Sequence, residues 1–189
     1  MREAALATLV VFTLVASVDG FFFHLFKYRL HARPECRREH LLHTYNAVLF
    51  PFTLVPVFAA TVTGAWLWAA VALFAATFVI ESFDVFTEGD SRRELGGLTP
   101  TEYWMHFAMS GLRWGYTALA FASVPAASWT AETSFAWIVP SLSDPFSIIP
   151  PAIALVDIPV ALLHVALAIE GAPRRFVESV LRLRPPTAP

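Results

Sequence analysis

Long apolar runs alternate with short polar segments along this chain. The runs cover residues 4–23, 41–63, 65–85, 101–124 and 147–169. At a rise of 1.5 Å per residue, about 20 apolar residues cross the hydrocarbon core of a bilayer. Five membrane-spanning helices are therefore expected.

Local signals refine the runs. Pro51 and Pro56 fall inside the second; a membrane helix tolerates them with a kink, because freed backbone groups find partners nearby. Thr63-Gly64 marks a tight turn, and Trp66 and Trp68 follow it where an interfacial aromatic belt belongs. The fourth run opens with Thr99 as N-cap, Pro100 at the first helical position and Glu102 three residues after the cap. Val15-Ala16-Ser17 resembles a signal-peptide cleavage site. The apolar run continues past it through Phe21-Phe22-Phe23 and little charge precedes it, so a retained helix is expected.

Composition agrees with this reading. Of 189 residues 57% are hydrophobic and only 15% charged, against about 25% charged in soluble domains. The expected fold is all-α: a single integral membrane domain over residues 1–189, a polytopic bundle of about five transmembrane helices. Eleven of the thirteen Lys and Arg residues lie in 24–40, 86–98 and 172–189, which alternation puts on one side. The positive-inside rule makes that side cytoplasmic. The N-terminus is then outside and the C-terminus cytoplasmic, in the inner (cytoplasmic) membrane of a bacterium. Residues 24–40 read as an interfacial basic segment against lipid headgroups, and 172–189 as a short basic tail.

Several classes are excluded. The single cysteine, Cys36, permits no internal disulfide and no Cys-rich metal site, and reads as an inert thiol. No phosphate loop, nucleic-acid motif, G-x-S-x-G or H-E-x-x-H occurs. Membrane lipids and an apolar small molecule are the expected partners, with other membrane proteins under one alternative below and no nucleic acid.

The same topology brings a carboxylate or imidazole from every span to the cytoplasmic leaflet. Glu39 and His43 are four apart, as are Glu102 and His106, and Glu81 and Asp84 are three apart, so each pair shares a helix face. These six are the candidate metal ligands; Glu81 and His164 are also the candidate catalytic groups, His164 as a further ligand or proton carrier and Glu81 as general base if the metal is a hydrolytic zinc. An ionisable group inside a span costs several kcal/mol if it meets lipid, which makes Glu81, His106 and His164 functional candidates by default. In ligand inventory the set resembles the diiron-carboxylate helical bundles, which use Glu and Glu-x-x-His ligands from four helices. It departs from them in its Glu-x-x-x-His spacing and membrane scaffold.

Plainer readings stand beside these. Glu102 is explained by capping alone, and Glu39 and His43 equally well as headgroup-region charges beside Arg37 and Arg38. His24, His31 and His40 read as interfacial, and Glu88, Asp90 and Glu94 as solvated loop charges or partners of the loop residues Arg92 and Arg93. Glu81, His106 and His164 could instead clamp helices together. Arg113 and Asp157 lie at similar depth in the fourth and fifth spans and are expected to form a structural ion pair.

The functional expectation is a membrane metalloenzyme with one or two divalent metals, iron favoured, acting as an oxidoreductase or oxygenase on a lipid or quinone-like substrate. Zinc-dependent lipid hydrolysis is the first alternative. A non-enzymatic subunit of a membrane complex, or a proton or metal carrier, is the second. Haem on His106 and His164 fits less well, since it leaves the carboxylates unexplained.

Overall fold

The computed structural model of the protein describes residues 1–183. The end of the basic tail, with Arg184, lies outside the described residues. Six helices and one small sheet make up the rest: α1 (Arg2–Ser17), α2 (Arg37–Leu54), β1 (Ala60–Thr63), α3 (Ala65–Ser91), α4 (Pro100–Ala122), β2 (Ser134–Trp137), α5 (Pro145–Ala168) and α6 (Ala172–Val180).

Four helical stretches are long and apolar enough to cross a membrane: Arg2–Ala32, Arg37–Ala59, Ala65–Ser91 and Pro145–Ala168. The fifth expected span, α4, is 23 residues long but carries Glu102, His106, Ser110 and Arg113 and is not among them. It packs along α1. Phe78, Phe83, Phe107, Leu155 and Leu162 each expose more than half of their surface on the outside of α3, α4 and α5. A water-facing domain rarely leaves so much large apolar surface open, which is consistent with contact with lipid.

The core lies between α1, α2 and α4. Phe12 packs at a tilt on Phe50 and Tyr116, with ring centroids 5.6 and 5.5 Å apart, and Leu9, Leu54 and Tyr116 are fully enclosed around them.

Two elements differ from expectation. Residues 60–63 are strand, not the end of the second helix. Pro51 and Pro56 each withhold a backbone donor, and the helix widens into i→i+5 turns over Val55–Ala59 before it ends. The backbone beyond pairs antiparallel with β2 from the loop before α5, Ala60 opposite Trp137 and Thr63 opposite Ser134. The molecule is thus mostly helical, not all-α. Gly64 makes the turn into α3 at φ +58°, and a Cβ there would stand 2.6 Å from the Ala131 carbonyl oxygen. Second, α3 runs on to Ser91, so residues 86–91, read as loop, are helix.

Residues 24–40 were expected to lie against headgroups. Instead His24, Leu30, His31, Cys36, Glu39 and His40 are buried, because this segment folds under the end of the bundle. The Cys36 thiol donates to the Ser91 carbonyl at 3.2 Å, and burial pushes its pKa up to about 11. The folded thiol therefore stays protonated at neutral pH, and in the unfolded chain it ionises first, in its ordinary range. Maleimide at pH 7.5 is expected to label Cys36 slowly in native protein and rapidly after denaturation; equal rates would contradict the burial.

Candidate metal centre

Five segments deliver the polar groups to one end of the bundle. The first does so by changing its winding. Beyond Ser17 the α1 helix continues through Val18–Lys27 with i→i+5 hydrogen bonding, which stacks residues five apart on one face. Asp19 and His24 are such a pair, with Oδ2 3.3 Å from Nε2. In a regular α-helix they would point well away from each other.

Around them stand side chains from three other helices. The second Asp19 oxygen, Oδ1, is 3.4 Å from His106 Nε2 on α4, and the other His106 nitrogen, Nδ1, is 2.9 Å from Glu88 Oε1 on α3. On α2, His43 Nε2 is 3.2 Å from Asp84 Oδ2 and 4.0 Å from Glu39 Oε1. The His24 and His43 rings meet edge to face at 4.2 Å. Two groups have donor atoms all within 4.8 Å of one another: Asp19, His24 and His106, and His24, Glu39 and His43. His24 belongs to both. Either group can coordinate a metal ion.

Two features favour a cation at this cluster. Both ring nitrogens of His24 and of His106, together with His43 Nε2, Asp19 Oδ1 and Asp84 Oδ1, are buried without a hydrogen bond despite the short separations. Several donor atoms at short range are thus open to a cation. Charge balance points the same way. Asp19, Asp84 and Glu88 are 1%, 7% and 6% exposed. Among the described residues no Lys or Arg lies within 4.0 Å of them. Buried carboxylates require a compensating positive charge, which a bound cation supplies, or a protonated His106 between Asp19 and Glu88.

Arg92 organises the adjoining pair of carboxylates. It is fully enclosed. Its Nε and Nη2 donate to Glu39 Oε1 at 3.1 and 2.8 Å, and its Nη1 lies 3.4 Å from Glu102 Oε1. The Ser91 hydroxyl donates to the other Glu39 oxygen. The Tyr28 ring stacks on the guanidinium at 4.6 Å, and its hydroxyl donates to Glu102 Oε2 at 2.7 Å. Glu102 also closes the capping box with Thr99, whose backbone N–H and hydroxyl donate to Oε2 at 3.1 and 2.8 Å.

Of the six ligands expected from sequence, Glu39, His43, Asp84 and His106 meet at the cluster, while Glu102 is held by Arg92, Tyr28 and Thr99. Glu81 lies further along α3: its Oε1 accepts from the Ser110 hydroxyl and its Oε2 is 4.0 Å from Arg113 Nη1. Arg113 also donates to Asn46 Oδ1 at 3.3 Å. Arg113 thus meets Glu81 and not Asp157, which has no ion pair among the described residues. His164 stacks on His40 at 5.6 Å, and His31 lies 6.0 Å beyond, with its Nε2 3.5 Å from Glu178.

Asp19, His24 and Glu88 were not among the expected ligands. Glu88 had a visible signal: residues 81, 84 and 88 repeat at i, i+3 and i+7, one helix face, once α3 is carried to Ser91. Asp19 and His24 had only their depth at the cytoplasmic end of the first span as a signal, since their pairing depends on the widened helix.

One cavity of about 560 Å³ joins Asp19, His24, His43, Asp84, Glu88 and His106 to Glu81, Arg113 and Asp157 further along the helices. All six histidines line it, and apolar walls from α1, α2 and α5, including Phe12, Phe50, Ile149, Ile153 and Val160, continue away from the cluster. Its size suits a small organic molecule, and its few convergent polar groups on apolar walls are typical of ligand sites. No protein-family model, curated protein or solved structure matches the chain, so its function has to be read from this centre.

Proposed function

We propose that the protein is an integral membrane metalloenzyme, an oxidoreductase or oxygenase whose carboxylate and histidine centre holds one or two divalent ions beside a cavity for a lipid or quinone-like substrate. The observation that carries the proposal is the convergence of buried Asp19, Asp84, Glu88 and His24 with half-buried His43 and His106, with no Lys or Arg within 4.0 Å of the three carboxylates. In this reading five helices span the bacterial inner membrane, α4 among them. Lipid does not meet the polar side of α4, because it faces α1 and the cavity. The basic residues of 24–40, 86–98 and the tail put the centre near the cytoplasmic leaflet.

Donor chemistry favours iron. Three carboxylates and three imidazoles exceed what one four-coordinate zinc uses, and mixed oxygen and imidazole donors suit Fe or Mn. When bound, such an ion supplies redox chemistry that none of these side chains performs. The chain's own part is to hold the ion, to keep Glu39 and Glu102 neutralised through Arg92, and to present the substrate along the apolar wall.

The test compares detergent-purified protein loaded with Fe(II) and with Zn(II). The Fe(II) form is expected to consume oxygen in the presence of a membrane-extract lipid fraction, and the Zn(II) form is not. Ester hydrolysis by the Zn(II) form, with no oxygen uptake by the Fe(II) form, would replace oxidation with hydrolysis.

A further inference from the structure

The polar groups in and beside the cavity fall into two tiers. Glu39 and Asn46 on α2, Glu88 and Glu81 on α3, His106 and Arg113 on α4, and His164 and Asp157 on α5 are each seven residues apart. Seven residues are about two helical turns, so each pair shares a face with a separation of about 10 Å. The metal centre occupies one tier. Asn46, Glu81, Ser110, Arg113 and Asp157 make the other, and all five line the cavity.

Arg113 is the informative member. Its side chain is 9% exposed. Nη1 is engaged by Asn46 and lies near Glu81, but Nε and Nη2 are buried and unpartnered. Those two atoms form the side-on fork of the guanidinium, the same edge with which Arg92 grips Glu39. An open fork of two donors inside an apolar cavity calls for an oxygen acceptor, since a buried donor left unmade is costly. Across the cavity Asp157 Oδ2 is also buried without a partner. Glu81 already offsets the Arg113 charge, so a carboxylate ligand would add an uncompensated negative charge beside Glu81 and Asp157. A neutral carbonyl oxygen adds none.

Building on the metalloenzyme reading for the substrate's place in the cavity, we propose that Arg113, with Asn46 and Asp157, is a recognition tier for a neutral, carbonyl-bearing apolar molecule of the quinone class, held about two helical turns from the metal centre. Entry is sideways from lipid, between α1 and α5, which both line the cavity and touch each other only weakly.

The test is equilibrium binding of a decyl-substituted benzoquinone to the detergent-purified protein, with palmitate as the carboxylate comparison. Arg113→Lys keeps the charge but loses the planar fork. It is expected to bind the quinone about tenfold more weakly, the loss expected for a hydrogen bond to a charged donor. If that variant misfolds, the Arg113→Gln/Glu81→Gln pair, neutral at both positions, carries the same expectation. Metal content is measured in parallel and should match the parent. No quinone binding by the parent, equal binding by parent and variants, or tighter binding of palmitate would overturn the proposal. Quinone binding that depends on Arg113 in protein that takes up no metal would uphold this tier and remove the metalloenzyme reading instead.

Discussion

Replacing Arg92 with methionine is expected to destabilise the folded protein by about 3–5 kcal/mol, the usual cost of removing one partner from a buried ion network. Methionine fills much of the arginine volume, so the loss is mainly electrostatic. Glu39 and Glu102, both fully buried, would be left without their cation. Glu102 would retain Tyr28 and Thr99, and Glu39 would retain Ser91, which sets the lower end of the range. Denaturant unfolding in detergent, followed by circular dichroism, measures it. Arg93→Met is the control. Arg93 pairs with Asp90 at 2.5 Å, but both side chains are more than three-quarters exposed, and such pairs contribute about 0–1 kcal/mol. Similar losses for the two variants would mean that Arg92 is not the buried hub.

His24→Ala is expected to lower metal affinity more than about 100-fold, beyond the 10–100-fold typical of a residue that only supports a ligand. The reason is its shared position, since it contributes to both donor groups. Loss of one imidazole from a single group would leave the other intact; loss of His24 leaves two donors in each. His40→Ala is the matched control. His40 is equally buried and lines the same cavity, but it stacks on His164 outside both groups. Titration with Fe(II) or Co(II), followed by absorption, reads both variants. Equal affinity in His24→Ala and the parent would remove the cluster as the metal centre.

Much of the architecture could be read from the pattern of residues because membrane spans are set by length and apolarity. The turn at Gly64 and the capping box at Thr99 are local chemistry and were visible for the same reason. The strand at residues 60–63 was not, since it depends on a partner more than 70 residues away, Ser134–Trp137. The polar end of the bundle was legible in part as a set of faces: Glu39 with His43 follows from α-helical spacing alone, whereas Glu81 shares the face of Asp84 but lies further along α3 with Ser110 and Arg113. What spacing could not supply was the widened winding that turns Asp19 towards His24, or the partner that each acid would choose. Arg92 looked like a loop charge and is instead the fully enclosed cation between Glu39 and Glu102. Arg113 and Asp157 have matching depth, yet depth does not fix rotation about the helix axis, and Arg113 faces Glu81.

The most direct measurement is elemental analysis of detergent-purified protein, after incubation with Fe(II) and removal of free ions, beside a His106→Ala variant. His106 links Asp19 to Glu88 through its two nitrogens. The account predicts one or two equivalents of tightly held iron per folded chain in the parent and a large fraction of it lost in the variant. A well-folded parent that retains no metal would contradict it.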